Sequence, residues 1–241
     1  MTINPEGNIV ILASGSGSNA RAIAATPHLS RRIAAVIGDR KHSRVLAWAK
    51  ENGYESVHVP LHGRSRQQAD RALLEAISPY NPSLIVLAGF MRILGPDFVS
   101  AYNRRIVNIH PSLLPEHPGL KAIERSWEAE DPRMGITIHL VDDGVDTGPI
   151  LAQASMPRGC FADFSEAVAS IHELEHALYP IVISQLFSAL DCSGRKTGNA
   201  PHAEYTISHS ALRNALPAHA RLEVPAYEEY TSEQTQMGRH A

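Results

Sequence analysis

The run Ser83-Leu84-Ile85-Val86-Leu87-Ala88 constrains the fold more than any other feature of the chain. A strand with one wet face alternates polar and apolar residues. This run does not, so it belongs to a strand covered on both faces, as at the centre of a parallel sheet. A second such run, Asn8 to Ala13, stops at Ser14-Gly15-Ser16-Gly17-Ser18-Asn19 before an alanine-rich helical stretch from Ala20 to Ala25, which reads as strand, glycine loop, helix. Strands are expected at Ile33 to Gly38, near Ser56 to Val59, and at Arg105 to His110, closed by Pro111. Helical segments are expected around Val45 to Trp48, over Arg66 to Ile77, and from after Leu94 through Tyr102. Gly135 to Val141 alternates with period two and Pro149 to Ala154 looks like its partner, so an antiparallel element joins the sheet. A long helix from about Phe164 to Leu190 opens with Asp163 three residues before Glu166 and carries a kink at Pro180. The expected fold is α/β and Rossmann-like, a mostly parallel twisted sheet with helices on both faces.

The 241 residues, 44% hydrophobic and 20% charged, suit one domain over 1–190 followed by a C-terminal extension over 191–241. In that extension Tyr205 to Ile207 reads as a strand, Ala211 to Ala220 as a short helix, and Tyr230 to Ala241 is polar enough for disorder. The extension is read as packing, dimer contact or disorder, with the chain a monomer or homodimer. A net charge of -3 leaves no electrostatic footprint for nucleic acid, and no run approaches the ~20 apolar residues that span a bilayer. Met1 to Asn8 lacks a basic stretch followed by an apolar core, the pattern of a cytoplasmic protein. Cys160 and Cys192 cannot build a disulfide framework or a thiolate zinc site.

Three constellations carry chemistry. Gly15-Ser16-Gly17-Ser18-Asn19-Ala20 matches the G-x-G-x-x-G/A spacing of dinucleotide sites, and Asp39 after the second strand is the acid expected on a ribose. Whatever the ligand, the N–H groups of Gly17, Ser18 and Asn19 at a helix start suit an anion such as a terminal phosphate. His172-Glu173-Leu174-Glu175-His176 fits the H-E-x-x-H zinc signature, but no third ligand follows at a recognisable spacing, so no metal is expected. Helix phase instead aligns Glu175 with the apolar seam of Val168, Ile171, Leu178 and Val182. A carboxylate aimed inward needs a ligand or an internal lysine or arginine. Lastly, Asn108 and His110 project to one side of their strand, with Asp146 in a glycine-bordered loop able to orient or charge the imidazole. Such a set can stabilise an oxyanion. Ser112 nearby lacks the glycine elbow of a hydrolase nucleophile.

Together these motifs resemble the phosphoribosylglycinamide formyltransferase family. Gly15 to Asn19, Ala88-Gly89-Phe90-Met91-Arg92-Ile93-Leu94, Asn108-Ile109-His110-Pro111-Ser112-Leu113-Leu114-Pro115, Asp146-Thr147-Gly148-Pro149 and Glu175-His176-Ala177-Leu178-Tyr179-Pro180 occur in the family's order, over about Asn8 to Leu190. The resemblance implies the formyltransferase fold and small-molecule substrates. It implies formyl transfer from the co-substrate 10-formyltetrahydrofolate to the primary amine of glycinamide ribonucleotide, in de novo purine synthesis. A tetrahedral intermediate would be stabilised by Asn108 and by His110 as imidazolium, with Asp146 favouring that charge and assisting proton transfer. Gly17, Ser18 and Asn19 would take the substrate phosphate, and Glu175 the substrate's amino end. Arg66 would lie near the substrates. Met91, Arg92, Ile93 and Leu94, with the loop Val141, Asp142, Asp143, Gly144 and Val145, would line the pterin pocket. Two departures stand out: Lys121 occupies a position where the family commonly has histidine, and Asp39-Arg40 replaces a more usual Ser-Asn pair. The rival readings are another folate-dependent formyltransferase or a formyltetrahydrofolate hydrolase on the same fold, and, in a different class, an NAD-type nucleotide-binding module.

Overall fold

The computed structural model describes residues 8–192 and 209–223. In chain order the elements are β1 (Ile9–Leu12), α1 (Ser18–Ala24), α2 (Pro27–Ser30), β2 (Ile33–Gly38), α3 (Arg44–Glu51), β3 (Ser56–His58), α4 (Arg66–Ile77), β4 (Leu84–Leu87), α5 (Pro96–Ala101), β5 (Ile106–His110), α6 (Ala122–Glu128), β6 (Arg133–Leu140), β7 (Ile150–Pro157), α7 (Phe164–Cys192), α8 (His209–Ala215) and β8 (Arg221–Glu223). One sheet runs β3-β2-β1-β4-β5-β6-β7-β8. Pairing is parallel from β3 through β5 and antiparallel from β5 through β8. This is the Rossmann-like arrangement, and strand order reverses between β1 and β4. Their C-terminal ends open onto the crevice where such sheets bind ligands.

The apolar runs do what their composition requires. Within β1, Ile9 and Ile11 join the core on one face, and Val10 and Leu12 the core on the other. β4 divides the same way, with Leu84 and Val86 opposite Ile85 and Leu87. α7 covers the first face with Ile171, Leu174, Leu178, Val182 and Leu186, all fully buried. Asp163 takes the Glu166 N–H at 2.9 Å, while the Glu166 carboxylate accepts from Ala162 rather than from the cap residue itself. The helix continues through Pro180 to Cys192. Tyr179 is fully buried, and its hydroxyl lies 2.9 Å from the carbonyls of both Leu87 and Val107, tying the helix to β4 and β5.

Three elements exceed the sequence reading: α2, α6 and β8. β8 extends the sheet by pairing Ala154 with Leu222, and the adjoining α8 buries Leu212. Part of the C-terminal extension therefore continues the sheet. The helix expected over Ala211 to Ala220 is found as His209–Ala215. The strand expected at Tyr205 to Ile207 and the polar end from Tyr230 lie outside the described residues. Among the described residues no helix is long and apolar enough to cross a membrane.

Candidate active site

A cavity of about 320 Å³ opens beyond the C-terminal ends of β4 and β5. Its walls include Met91, Arg92, Ile93 and Leu94 after β4, Asn108 and His110 on β5, Lys121 before α6, and Val141, Asp142, Gly144, Val145 and Asp146 after β6. Asp143 does not line it. The Asp142 carboxylate takes the Gly144 N–H and the Thr147 hydroxyl, a local tie that leaves Asp143 exposed to solvent. Arg66 is also outside the wall, and its guanidinium donates to the Leu94 carbonyl, which it holds in place.

The expected trio meets. Asp146 Oδ2 lies 3.3 Å from His110 Nδ1, and Asn108 Nδ2 donates to Asp146 Oδ1 at 3.4 Å. Asp146 has φ 56, a left-handed conformation that aspartate tolerates better than most residues. Gly148 allows the loop to return: a Cβ there would sit 1.8 Å from the Leu140 carbonyl oxygen. The Gly119 N–H donates to Asp146 Oδ2 at 2.7 Å, and the His117 carbonyl accepts from His110 Nε2 at 2.9 Å.

Sequence reasoning missed His139. The β5–β6 register sets it opposite Asn108, and a register shift against β7 falls between Ile138 and His139, the kind of bulge that re-aims a side chain. Its Nδ1–H donates to the Leu140 carbonyl at 2.8 Å, and its Nε2 lies 3.1 Å from Asn108 Nδ2 and 3.6 Å from Asp146 Oδ1. The signal was present in principle: a histidine within a strand otherwise buried on both faces is a polar group in need of a partner.

The electrostatics correct one expectation. Burial pushes His110 below the ordinary imidazole value, and this outweighs the opposing pull of the His117 carbonyl and Asp146. In this state His110 is weighted toward the neutral ring, not the imidazolium. Burial would raise Asp146, but hydrogen bonding with His139 and the Gly119 N–H, with the charges of His110 and His139, lowers it from 3.8 to about 2. It is ionised throughout the neutral range.

The second cluster is distinct from this cavity. Gly17 caps α1 at φ 80, and a Cβ there would come within 2.5 Å of Val45 Cγ2, so both conformation and space demand glycine. Asn19 donates to Glu175 Oε2 at 3.1 Å, and His172 Nδ1 pairs with the same oxygen at 3.0 Å. Glu175 is buried as expected, but its partners are an amide and an imidazole rather than lysine or arginine. The hydrogen bond to Glu175 raises His172, and burial lowers His176. With His172 bound to Glu175, the H-E-x-x-H spacing serves an internal pair. Among the described residues no group of three histidine, cysteine or acidic side chains is placed to hold a metal ion. Asp39 pairs with Arg92 at 3.1 Å and its side chain is buried, so it is not presented to a ribose.

The sequence pattern of the formyl transferase family covers residues 7–183. The chain belongs to the formyl transferase family. This formyl transferase is 42% identical over 182 residues to the phosphoribosylglycinamide formyltransferase of Escherichia coli (strain K12), an alignment spanning 73% of this chain and 85% of that protein. The Bacillus subtilis (strain 168) protein of the same name is 35% identical, with 73% of this chain and 92% of that protein covered. The crystal structure of phosphoribosylglycinamide formyltransferase from Streptococcus pneumoniae TIGR4 superposes with a TM-score of 0.69 at 40% identity, covering 75% of this formyl transferase and 99% of that chain.

Proposed function

We propose that the enzyme transfers the formyl group of 10-formyltetrahydrofolate to the primary amine of glycinamide ribonucleotide, a step of purine synthesis. The observation that carries this reading is the meeting of Asn108, His110 and Asp146 at the wall of a cavity beside the sheet's switch point. The cavity's character suits the folate. The exposed large apolar side chains of the described residues are Met91, Ile93, Leu120 and Val145, and all four line it. A flat aromatic ligand would cover them, while the main chain of Arg92 to Leu94 and the 141–146 loop offer hydrogen bonds to a pterin edge.

When bound, 10-formyltetrahydrofolate would supply an electrophilic formyl carbon attached to a nitrogen leaving group. Asn108, and His110 through Nδ1 once the ring is protonated, would donate to the formyl oxygen as charge gathers on it, the interaction that most lowers the barrier of acyl transfer. The neutral ring holds its one hydrogen on Nε2, so protonation is what makes Nδ1 a donor, and the His117 carbonyl and Asp146 favour that state against burial. Asp146 stays ionised, so it stabilises the ammonium that forms as the amine attacks. It then helps pass that proton, directly or through water, to the departing nitrogen. On the other side of the crevice Gly17, Ser18 and Asn19 would hold the ribonucleotide phosphate and Glu175 its amino end.

The test is direct. Purified protein incubated with both substrates should consume 10-formyltetrahydrofolate only when glycinamide ribonucleotide is present. Formate release without acceptor would favour a hydrolase. Transfer to a sugar nucleotide or aminoacyl acceptor, with none to glycinamide ribonucleotide, would assign another formyl acceptor.

A further inference from the structure

The segment between β5 and α6 grips the candidate catalytic pair from both ends. The His117 carbonyl accepts from His110 Nε2, and the Gly119 N–H donates to Asp146 Oδ2, the oxygen that also faces His110 Nδ1. A carbonyl has no hydrogen to give, so Nε2 must carry one. The tautomer of His110 and the direction of its Nδ1 edge are therefore set from position 117.

His117 itself stands at φ 53, a left-handed conformation that a residue with a Cβ keeps only where its surroundings hold it. Its side chain supplies the hold. His117 Nε2 lies 2.7 Å from Asp131 Oδ2, just beyond α6, and the same oxygen receives the hydroxyl of buried Ser126 at 2.6 Å. Arg125 donates to the carbonyl of the next residue, Pro118. Without the clasp, residue 117 is free to relax toward extended backbone. That would rotate the peptide after it and carry the carbonyl away from His110.

We propose that His117, clasped by Asp131, is a positioning residue for His110, fixing the tautomer and aim of the imidazole through its own main-chain carbonyl. The kinetic consequence rests on the formyl-transfer reading; the effect on the His110 ring does not. His110 is faced by Asp146 from the loop after β6, by His139 on β6, by Arg125 on α6 and by the His117 carbonyl. The carbonyl and Asp146 favour the protonated ring; burial, His139 and Arg125 oppose it. Loss of the carbonyl leaves the opposing group less balanced.

The experiment replaces His117 by Asn, which accepts left-handed backbone but is too short for Asp131, and by Gln, whose amide nitrogen reaches as far as the imidazole Nε2. Asp131→Ala removes the clasp from the other side and serves if His117→Asn fails to fold. The His110 ring is titrated by NMR in ligand-free protein, and kcat is measured against pH with KM for both substrates. In His117→Asn and Asp131→Ala the His110 titration should move to lower pH. Turnover should fall on the order of tenfold or more, the scale of a misplaced catalytic group. KM should stay within about twofold, because an aim needed only in the transition state acts on kcat. His117→Gln should recover most of both. An unchanged His110 titration with unchanged turnover, or a loss that Gln does not rescue and that raises KM in step, overturns the inference. If wild type transfers no formyl group, the functional reading falls and the titration alone decides.

Discussion

The two central parallel strands and the antiparallel strands of the single sheet place polarity differently. In β1 and β4 every residue is apolar and buried, from Ile9 to Leu12 and from Leu84 to Leu87, and the chemistry waits in the loops beyond their ends. β6 is buried from Met134 to Leu140, yet it carries Thr137 and His139 inside the strand, and β7 carries Gln153 and Ser155. Each is paid for in hydrogen bonds. The Thr137 hydroxyl donates to the Ser112 carbonyl at 2.7 Å and accepts from the Leu114 N–H and Gln153 Nε2. The Ser155 hydroxyl accepts from Arg133, and His139 Nε2 meets Asn108 Nδ2 at 3.1 Å. β1 and β4 are scaffold with loops attached, whereas the antiparallel part, which begins at β5 with Asn108 and His110, is scaffold and site at once, and its strand interiors hold the segment that leads to His117.

The largest test of that division is at its functional end. Asp146→Asn keeps size and removes charge, so the His110 pKa falls and the proton route is lost. The rate kcat should drop at least ~10²-fold, the usual scale of acid–base participation, with substrate binding less affected. His110→Ala should be similarly inactive, and the double variant little worse than either single, since groups acting as a unit are not additive. Steady-state kinetics of the three proteins decide it. Independent multiplicative losses would dissolve the pair.

A matched pair of core substitutions tests the comparison itself. Thr137→Val leaves the Ser112 carbonyl, the Leu114 N–H and Gln153 short of a partner in a buried place, at a cost of about 1–3 kcal/mol. Because that segment leads to His117, kcat should fall as well. Ile85→Val in β4 removes one methylene at a cost of about 0.5–1.5 kcal/mol and should leave kcat alone. Urea denaturation gives the stabilities and initial rates the turnover. Equal kcat in the two variants would erase the distinction.

The same contrast explains what the sequence could and could not disclose. Leu84 to Leu87 announces itself, because an unbroken apolar run has few other uses, and Arg66 to Ile77 is found with the bounds its spacing implies. α6 is hidden because Lys121, at φ 59, opens it without a side-chain cap. β8 has three residues, too few to show a period, and exists by pairing with β7. Asn108, His110 and Asp146 are side chains in recognisable motifs and were legible. His139 needs a partner 31 residues away and a register to bring it there. The His117 contact is made by a main-chain carbonyl, which every residue possesses, so no motif marks it. The lowered pKa of His110 follows from burial, and burial is a property of the assembled sheet.

The smallest expected effect lies at the other carboxylate, where the comparison can be sharpened through pH. Glu175 on α7 is buried, and its His172 partner is 47% exposed, so solvent screening limits the pair to under about 1 kcal/mol. Facing groups are Asn19 from α1, and His176 and Tyr179 on α7 itself. The His172 pKa is raised from 6.5 in the folded chain. Below 6.5 the ring is protonated whether the chain is folded or not, and the pair contributes in full. As pH rises through the higher folded value the contribution is lost. Asp146 behaves oppositely: its contribution is present above 3.8 and disappears only as pH falls through about 2. Denaturation of wild type, His172→Gln and Asp146→Asn at roughly pH 5.5 and pH 8.5 separates the two. The stability gap to His172→Gln should be small at the lower pH and close at the higher, while the gap to Asp146→Asn changes in this range only through His110 and His139, because Asp146 itself is ionised at both pH values. A His172→Gln gap that widens with pH would mean that His172 meets Glu175 as a neutral ring, leaving the glycine-loop side of the crevice with a carboxylate charge that only a ligand neutralises.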